Sequence, residues 1–233
     1  MQNIYANTEV QPVERASVDA RALFIVRTYT HLLGAILGFT LIEVALFQSA
    51  LSERIARFAG GNWLIILGGF MLVSYLASSV AHRAQSRVAQ YAALTGFVVM
   101  EAIIFVPLLY AANYYADGVI QSAAAITLAG FGLLTFVAFW TRKDFSFLGA
   151  FLRFAGIGAL ILIAGALLFG FPLGAWFSVA MIVFAGGAVL YDTSNVMRHY
   201  PEDRYVAASL QLFAAVALMF WYVLRLLMAL GRD

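Results

Sequence analysis

Three acidic side chains lie inside or at the end of long apolar stretches of the sequence. Glu101 lies near the middle of one stretch, Glu43 lies in the second half of another, and Asp192 directly follows the apolar run 173–191. An ionisable group near the centre of a bilayer costs about 2.5–3.5 kcal/mol on insertion scales, so it is a functional candidate. At the end of a span the dielectric changes steeply, and the protonation of an acid responds to pH and to nearby cations. These acids point to ion or proton handling.

Each candidate also has a purely structural interpretation. Asp192 fits a wetted residue at the end of a helix, and Glu101 fits a protonated or hydrogen-bonded acid packed inside a bundle. We expect Glu43 to reach the nearer membrane interface. His31 fits a hydrogen-bonded interior histidine as well as a proton-handling group. The sequence leaves these alternatives open.

Patterns typical of enzymes and metal sites are missing from the sequence. Its three histidines, His31, His82 and His199, form no Ser–His arrangement, and no spaced His/Glu set for zinc is found. An intramembrane aspartyl protease needs a second aspartate in an apolar segment, and no other apolar segment here has one. There are no cysteines to supply thiolates. We therefore predict a protein that is not an enzyme and that has no resident metal or cofactor.

The composition requires a nonaqueous environment for most of the chain. Of the 233 residues, 64% are hydrophobic and 11% are charged. Soluble domains have roughly 45–50% apolar and about 25% charged residues. The net charge of +2 is spread over loops rather than gathered in a patch, so nucleic acid is not an expected partner. The sequence predicts a polytopic protein of the lipid bilayer.

About seven apolar runs are long enough to cross the membrane, which needs about 20 residues for about 30 Å of hydrocarbon. They cover residues 28–50, 62–81, 89–110, 118–140, 147–169, 173–191 and 205–230. Because the connections are short, consecutive helices should be antiparallel within one domain. The predicted fold is an all-α membrane protein with seven transmembrane helices in a single domain, 21–233. Residues 1–20 are polar and lack the order of a secretory signal, which predicts a retained cytoplasmic tail.

The positions of arginine and lysine predict the orientation, since short loops rich in these residues stay in the cytoplasm. The amino-terminal segment and the loops on its side hold Arg15, Arg21, Arg27, Arg83, Arg87, Arg142, Lys143, Arg198 and Arg204. The opposite side holds Arg54, Arg57 and Arg232. We therefore expect the amino terminus and Asp192 on the cytoplasmic side and the carboxyl terminus outside.

Small residues indicate where helices approach one another in lipid. Gly34 and Gly38 form a GxxxG pattern in the first run, and Gly186 and Gly187 form a pair in the sixth. We expect these four glycines at helix contacts. Glycine is frequent in spanning helices in any case, so each pair alone is a weak signal.

Three stretches resemble the Bax inhibitor family, in particular its bacterial YccA-like branch. They are TRKDFSFLG at 141–149, YDTSN at 191–195 and YVLRLL at 222–227. A partial match covers the region from Pro107 to Phe131. The resemblance extends over the whole membrane part, and TRKDFSFLG is its most specific piece.

The resemblance implies a bundle in which six helices surround a central seventh, in the bacterial inner membrane, with the carboxyl terminus periplasmic. Some members of the family are pH-sensitive calcium leak channels. In these, an aspartate ending helix six shares a proton with an aspartate in helix seven, and an arginine at the start of helix three helps to hold the closed form. Asp192 matches the first aspartate, and Arg83, or alternatively Arg87, matches the arginine. Calcium is therefore the candidate transported ion.

One element of that pattern is missing here. Counting back from Arg225, the second aspartate would fall at about Ala215, where no carboxylate exists. A shared-proton latch therefore does not carry over directly, because it depends on two close carboxyls. Glu101 is our candidate for a substitute acid. The first hypothesis is a pH-sensitive calcium or cation leak channel that uses Asp192, Glu101 and Arg83 or Arg87 for the ion path and for pH sensing.

A second hypothesis follows from the branch. YccA-like proteins also lack the second aspartate and are associated with the membrane-bound AAA protease FtsH, as substrate and modulator. An unfolded polar segment such as residues 1–20 is what a processive protease can grip. The alternative function is therefore modulation of membrane protein quality control, with FtsH as partner.

Overall fold

A computed structural model describes residues 12–115 and 117–231, which form a bundle of seven long helices. Their bounds are α1 Val18–Gln48, α2 Leu51–Arg83, α3 Arg87–Tyr115, α4 Val119–Thr141, α5 Leu148–Phe169, α6 Gly174–Arg198 and α7 Tyr205–Leu230. All seven are long and apolar enough to cross a membrane. The predicted fold class is confirmed.

The first two helices begin well before the apolar runs that predicted them. Ser17 caps α1, and its side chain accepts a hydrogen bond from the amide of Ala20 at 3.2 Å. In α2 the predicted start coincides with a kink, since Asn62 has non-helical angles (φ −128°, ψ 25°). The Asn62 side chain donates to the carbonyl of Phe58 at 2.9 Å. Hydropathy detects the apolar part of a helix and misses polar turns that extend it towards water.

Helix α7 is the centre of the bundle. It packs against α1, α2, α3, α4 and α6, and most of its residues from Tyr205 to Leu224 are buried. Its many alanines allow close approach of neighbouring backbones, which supplies packing energy where lipid gives no hydrophobic drive. Helix α5 is the peripheral one, because it reaches the bundle mainly through α6 and Gly149 is its only buried residue.

The predicted tail is partly folded onto the bundle. Residues 1–11 lie outside the described residues, whereas Val13–Arg15 forms a short 3-10 helix. The amide of Val13 donates to the carbonyl of Tyr200 at 2.9 Å, and Arg21 Nε donates to the carbonyl of Val13 at 3.2 Å. Val13 is fully buried. The segment before α1 is therefore tied to the loop between α6 and α7.

The four glycines expected at helix contacts differ in their surroundings. A Cβ atom on Gly186 would lie 3.3 Å from Cδ1 of Leu134 in α4, and one on Gly187 would lie 3.5 Å from Cδ2 of Leu152 in α5. On Gly38 the nearest neighbour, Val98 Cγ1, would be 3.9 Å away. A Cβ on Gly34 would meet no heavy atom within 4 Å. Of these four glycines, the two in α6 leave the least space for a side chain.

This difference predicts unequal costs of the same substitution. Gly186→Leu should lower the free energy of unfolding by about 1–3 kcal/mol, because the new side chain meets Leu134 in a packed contact. Gly34→Leu, the matched control, should cost clearly less. Thermal unfolding of the purified variants in detergent measures both effects. Equal melting temperatures for the two variants would contradict the packing described.

Candidate functional site

A cavity of about 520 Å³ lies at the end of the bundle that carries the amino-terminal segment. It is lined by His82, Ser146, Tyr191, Asp192, Asn195, His199, Tyr200, Pro201 and Gln211. These residues come from the ends of α2 and α6, from the first turns of α7 and from two loops. We call this space the Asp192 cavity. Its lining is rich in oxygen and nitrogen atoms, unlike the rest of the bundle.

Asp192 lines this cavity without a basic partner. The ion pairs in the described residues are Arg57–Glu53 and Arg204–Asp203, and neither includes Asp192. The Asp192 side chain is half-buried. Its carboxylate is therefore available to a cation that enters the cavity.

The two arginines expected near Asp192 point elsewhere. Arg83 and Arg87 are exposed at the α2–α3 junction. Arg87 donates to the hydroxyl of Tyr205 at 3.2 Å and lies over its ring, 5.8 Å from the centroid. Neither arginine forms an ion pair with Asp192 in the described part of the chain. The role of Arg83 or Arg87 in holding a closed form, which the resemblance implies, stays a prediction.

Instead of an arginine, a histidine and a tyrosine lie beside Asp192 in the cavity. His82 Nδ1 lies 2.8 Å from the carbonyl of Ser78, and its Nε2 lies 3.3 Å from the hydroxyl of Tyr200. In a neutral ring Nδ1 therefore carries the proton and Nε2 accepts from Tyr200. Burial raises the pKa of the Tyr200 hydroxyl, and the nearby charge of Asp192 adds to the effect. Tyr200 thus stays a neutral hydrogen-bond donor.

Gln211 presents a neutral amide to the cavity from the central helix. It lies one turn before Ala215, so both residues lie on one side of α7. Its Nε2 donates to Ser78 Oγ at 2.8 Å. An amide cannot share a proton with Asp192 as a second carboxyl would. The structure therefore provides no carboxyl pair at this end of the described bundle.

The run TRKDFSFLG binds the α4–α5 loop to α6 beside Asp192. The amide of Phe145 donates to Ser194 Oγ at 3.0 Å, and Asp144 Oδ1 accepts from the amide of Ser146 at 2.9 Å. The latter bond lowers the pKa of Asp144. Arg198 in α6 donates to the carbonyl of Arg142. This run therefore positions the last turns of α6.

The final glycine of the run leaves room for the residue before Asp192. A Cβ atom on Gly149 would lie 2.8 Å from Cε2 of Tyr191 and 3.1 Å from its hydroxyl oxygen. Any larger residue would have to displace the Tyr191 ring. Gly149 thus fixes how α5 meets α6 at the Asp192 cavity.

Glu101 lines a second cavity deeper in the bundle, of about 420 Å³. Residues of α2, α3, α5, α6 and α7 surround it, and Arg225 of α7 reaches it as well. Glu101 is 6% exposed. No basic group lies within ion-pair distance of it in the described ranges. We call this space the Glu101 cavity.

Polar side chains of α2 lie between the two cavities and at the edge of each. Ser74, Ser78 and His82 are spaced four residues apart and so share one face of the helix. His82 lines the Asp192 cavity, Ser74 lines the Glu101 cavity, and Ser78 between them binds Gln211. The Ser74 hydroxyl oxygen is buried without a hydrogen-bond partner. We call these four residues the polar line.

Two other ionisable residues of the sequence analysis have different positions. Glu43 was expected at the interface, but it is 7% exposed and lines a third cavity, so that prediction is wrong. The cause is that Glu43 lies on the side of α1 that faces α3, α4 and α7, whose residues line the same cavity. His31 lies 2.9 Å from the Tyr91 hydroxyl through Nε2 and 2.7 Å from the Arg27 carbonyl through Nδ1. These bonds favour its structural interpretation.

Comparison with known proteins decides the family. The family model described as inhibitor of apoptosis-promoting Bax1 matches residues 21–232. The chain belongs to the Bax inhibitor family. The resemblance drawn from TRKDFSFLG, YDTSN and YVLRLL is confirmed.

Bax inhibitor family relatives come from bacteria, plants and viruses. The modulator of FtsH protease YccA of Escherichia coli K12 is 26% identical over 90% of this chain and 91% of the relative. The Golgi anti-apoptotic protein of vaccinia virus, strain Lister, is 27% identical over 92% of this chain and 89% of the relative. A BI1-like protein of Arabidopsis thaliana is 33% identical, but the match covers 47% of this chain and 44% of the relative. The bacterial relative is named as a modulator and the viral one as an anti-apoptotic protein, and none of the three is named as an enzyme.

The Asp192 cavity should be open to water, and neighbouring positions of α6 test this. The chain has no native cysteine, so single cysteines can be placed freely. Asn195 lines the cavity, whereas Ser194 is fully buried against the α4–α5 loop. A charged methanethiosulfonate reagent should therefore modify Asn195→Cys at least about tenfold faster than Ser194→Cys. Equal rates, in protein that elutes as folded, would show that the cavity is closed to water.

Proposed function

We propose that the protein is a low-flux cation leak, with calcium as its ion. The observation that carries the proposal is the pair of cavities, each with a carboxylate that lacks a basic partner, joined by the polar line. Carboxylate, hydroxyl and amide oxygens are the ligands that Ca²⁺ prefers. A carboxylate that is buried at membrane depth without a bound cation has a high free energy.

The Asp192 cavity would serve as the entrance. Asp192 attracts a cation electrostatically, and oxygen atoms of Asn195, Tyr200 and Gln211 in the same cavity can replace part of its hydration. Because the carboxylate is half-buried, its field is screened less than that of an exposed acid. By the distribution of arginine and lysine, this entrance faces the cytoplasm.

The Glu101 cavity would serve as the second binding position. A cation that passes Ser78 and Gln211 reaches the hydroxyl of Ser74 and then the carboxylate of Glu101. Arg225 lines the far part of this cavity and carries a fixed positive charge. Its repulsion of cations would oppose onward movement and so would keep the flux low.

A cluster of aromatic rings separates the Glu101 cavity from the third cavity, which lies between α1 and α4. Phe105 and Trp221 line the Glu101 cavity, whereas Phe39 and Phe220 line the third cavity. The ring of Phe105 lies 5.5 Å from that of Phe220, 5.0 Å from that of Trp221 and 5.1 Å from that of Phe39. Such apolar contacts exclude hydrated ions. The cluster would therefore keep an ion in the Glu101 cavity from entering the third cavity.

A second candidate function is modulation of FtsH. It is favoured by the name of the Escherichia coli relative, which is a modulator of that protease. A protease pulling on the amino terminus would grip residues 1–11, which precede the bond between Val13 and Tyr200. Breaking that contact would start extraction at the loop beside the Asp192 cavity.

The leak hypothesis predicts that each carboxylate is needed for flux. In liposomes loaded with a calcium dye, Asp192→Asn and Glu101→Gln should each lower calcium entry about tenfold or more, because an amide cannot carry the negative charge with which a carboxylate binds a cation. The matched control is Glu43→Gln, which alters an acid outside the proposed path and should leave entry unchanged. Flux at the level of empty liposomes for folded wild-type protein would reject the leak.

The protease hypothesis predicts that residues 1–11 control lifetime. Their deletion should lengthen the half-life of the protein about twofold or more in cells with active FtsH and should have no effect in cells without it. Replacing them by eleven Gly and Ser residues should restore rapid decay, since a handle requires length rather than a particular sequence. Identical decay of all three proteins in FtsH-containing cells would contradict this role.

A further inference from the structure

A third cavity, of about 330 Å³, lies in the half of the bundle away from the amino-terminal segment. Its sides are α1 and α4, and α3 and α7 form its floor. Helices α1 and α4 meet near their other ends, where the rings of Tyr29 and Phe139 are 5.9 Å apart. Towards the cavity they diverge, and Val44 and Leu128 at its mouth are about half exposed. The cavity is thus a crevice that opens sideways to lipid.

Two buried polar groups inside the crevice lack partners. Glu43 is 7% exposed, and neither of its carboxyl oxygens has a hydrogen-bond partner. Thr127 is 2% exposed, and its hydroxyl oxygen also has none. Both side chains line the crevice, one from α1 and the other from α4. Burial of such groups is unfavourable unless something in the crevice bonds to them.

The lining defines the chemistry of that partner. No lysine, arginine or histidine lines the crevice, so a phosphate or other anionic headgroup would meet only the acid of Glu43. The remaining surface is mainly apolar and includes the rings of Phe39, Phe47, Phe213 and Phe220. Aromatic faces attract cations, and a carboxylate pairs with an ammonium group. A volume of about 330 Å³ suits a compact ligand.

We propose that the crevice binds an apolar amine from the membrane phase. Its ammonium group donates to Glu43 and to the Thr127 hydroxyl, and its hydrocarbon body packs against the phenyl rings. The site is independent of the proposed ion path, because the aromatic cluster around Phe105 separates the crevice from the Glu101 cavity. Ala217 of α7 is the residue that lines both spaces.

Binding of radiolabelled 1-adamantylamine to the purified full chain in detergent tests this site. The amine should bind about tenfold or more tightly than 1-adamantanol measured by competition, and 1-adamantanecarboxylate should not compete. Glu43→Gln should weaken the amine about tenfold and leave the alcohol unchanged. Glu101→Gln is the matched control, since it makes the same change in the other cavity, and it should alter neither affinity.

A second variant tests the same crevice without changing Glu43. Ala124 also lines the crevice, and Ala124→Phe should fill it and abolish binding of both amine and alcohol while Glu43 is retained. Amine binding that survives Glu43→Gln and Ala124→Phe would overturn the proposal. Competition by the carboxylate equal to that by the amine would overturn it as well. If Glu43→Gln does not fold, undiminished binding by Ala124→Phe is sufficient to reject the site.

Discussion

Lipid offers no hydrogen bonds, so every polar group within the bundle must find its partner in the protein. This constraint explains where the polar side chains of the chain lie. Helix α7, which packs against five other helices, is almost entirely apolar and rich in alanine. Its exceptions are few, and Gln211 is bonded to Ser78. The three acids Asp192, Glu101 and Glu43 each line a cavity, and the polar side chains of α2 at Ser74, Ser78 and His82 share one face.

The same constraint gives the two ends of the bundle different characters. At the amino-terminal end, the α4–α5 loop, the α6–α7 loop and the segment around Val13 form a hydrogen-bonded assembly around the Asp192 cavity. At the other end, α1 and α4 separate and leave an apolar crevice around Glu43. Packed aromatic rings of α1, α3 and α7 lie between this crevice and the Glu101 cavity. The amino-terminal end thus carries a polar cavity, and the other end carries a mainly apolar crevice.

The sequence could predict the features that depend on length and composition. The seven spans, the central seventh helix and the family follow from apolar runs and from motifs such as TRKDFSFLG, and all are confirmed. Helix starts were less accurate, because α1 and α2 extend through polar turns that hydropathy does not register. The sequence could not predict that α5 is peripheral. That position depends on which helices pack together, and the composition of α5 resembles that of its neighbours.

The site was predictable only in part. Asp192 lines a polar cavity as its position at the end of a span indicates, but the direction of Arg87 depends on its local contact with Tyr205. The sequence does show that Gln211 is a single amide in an apolar helix, one turn before Ala215. Only the fold shows that its side chain contacts Ser78. The burial of Glu43 depends on which side of α1 faces α3, α4 and α7, and this cannot be inferred from an apolar run that has little periodicity.

The central claim is that the polar line joins the Asp192 and Glu101 cavities into one path. Calcium entry into dye-loaded proteoliposomes that contain Ser78→Leu tests it most directly, because the new side chain blocks the line while both carboxylates remain. Ser122→Leu, an exposed change on α4, is the control. We expect Ser78→Leu to lose calcium entry and Ser122→Leu to keep it. Entry at the wild-type rate in folded Ser78→Leu would contradict a path along α2 and α7.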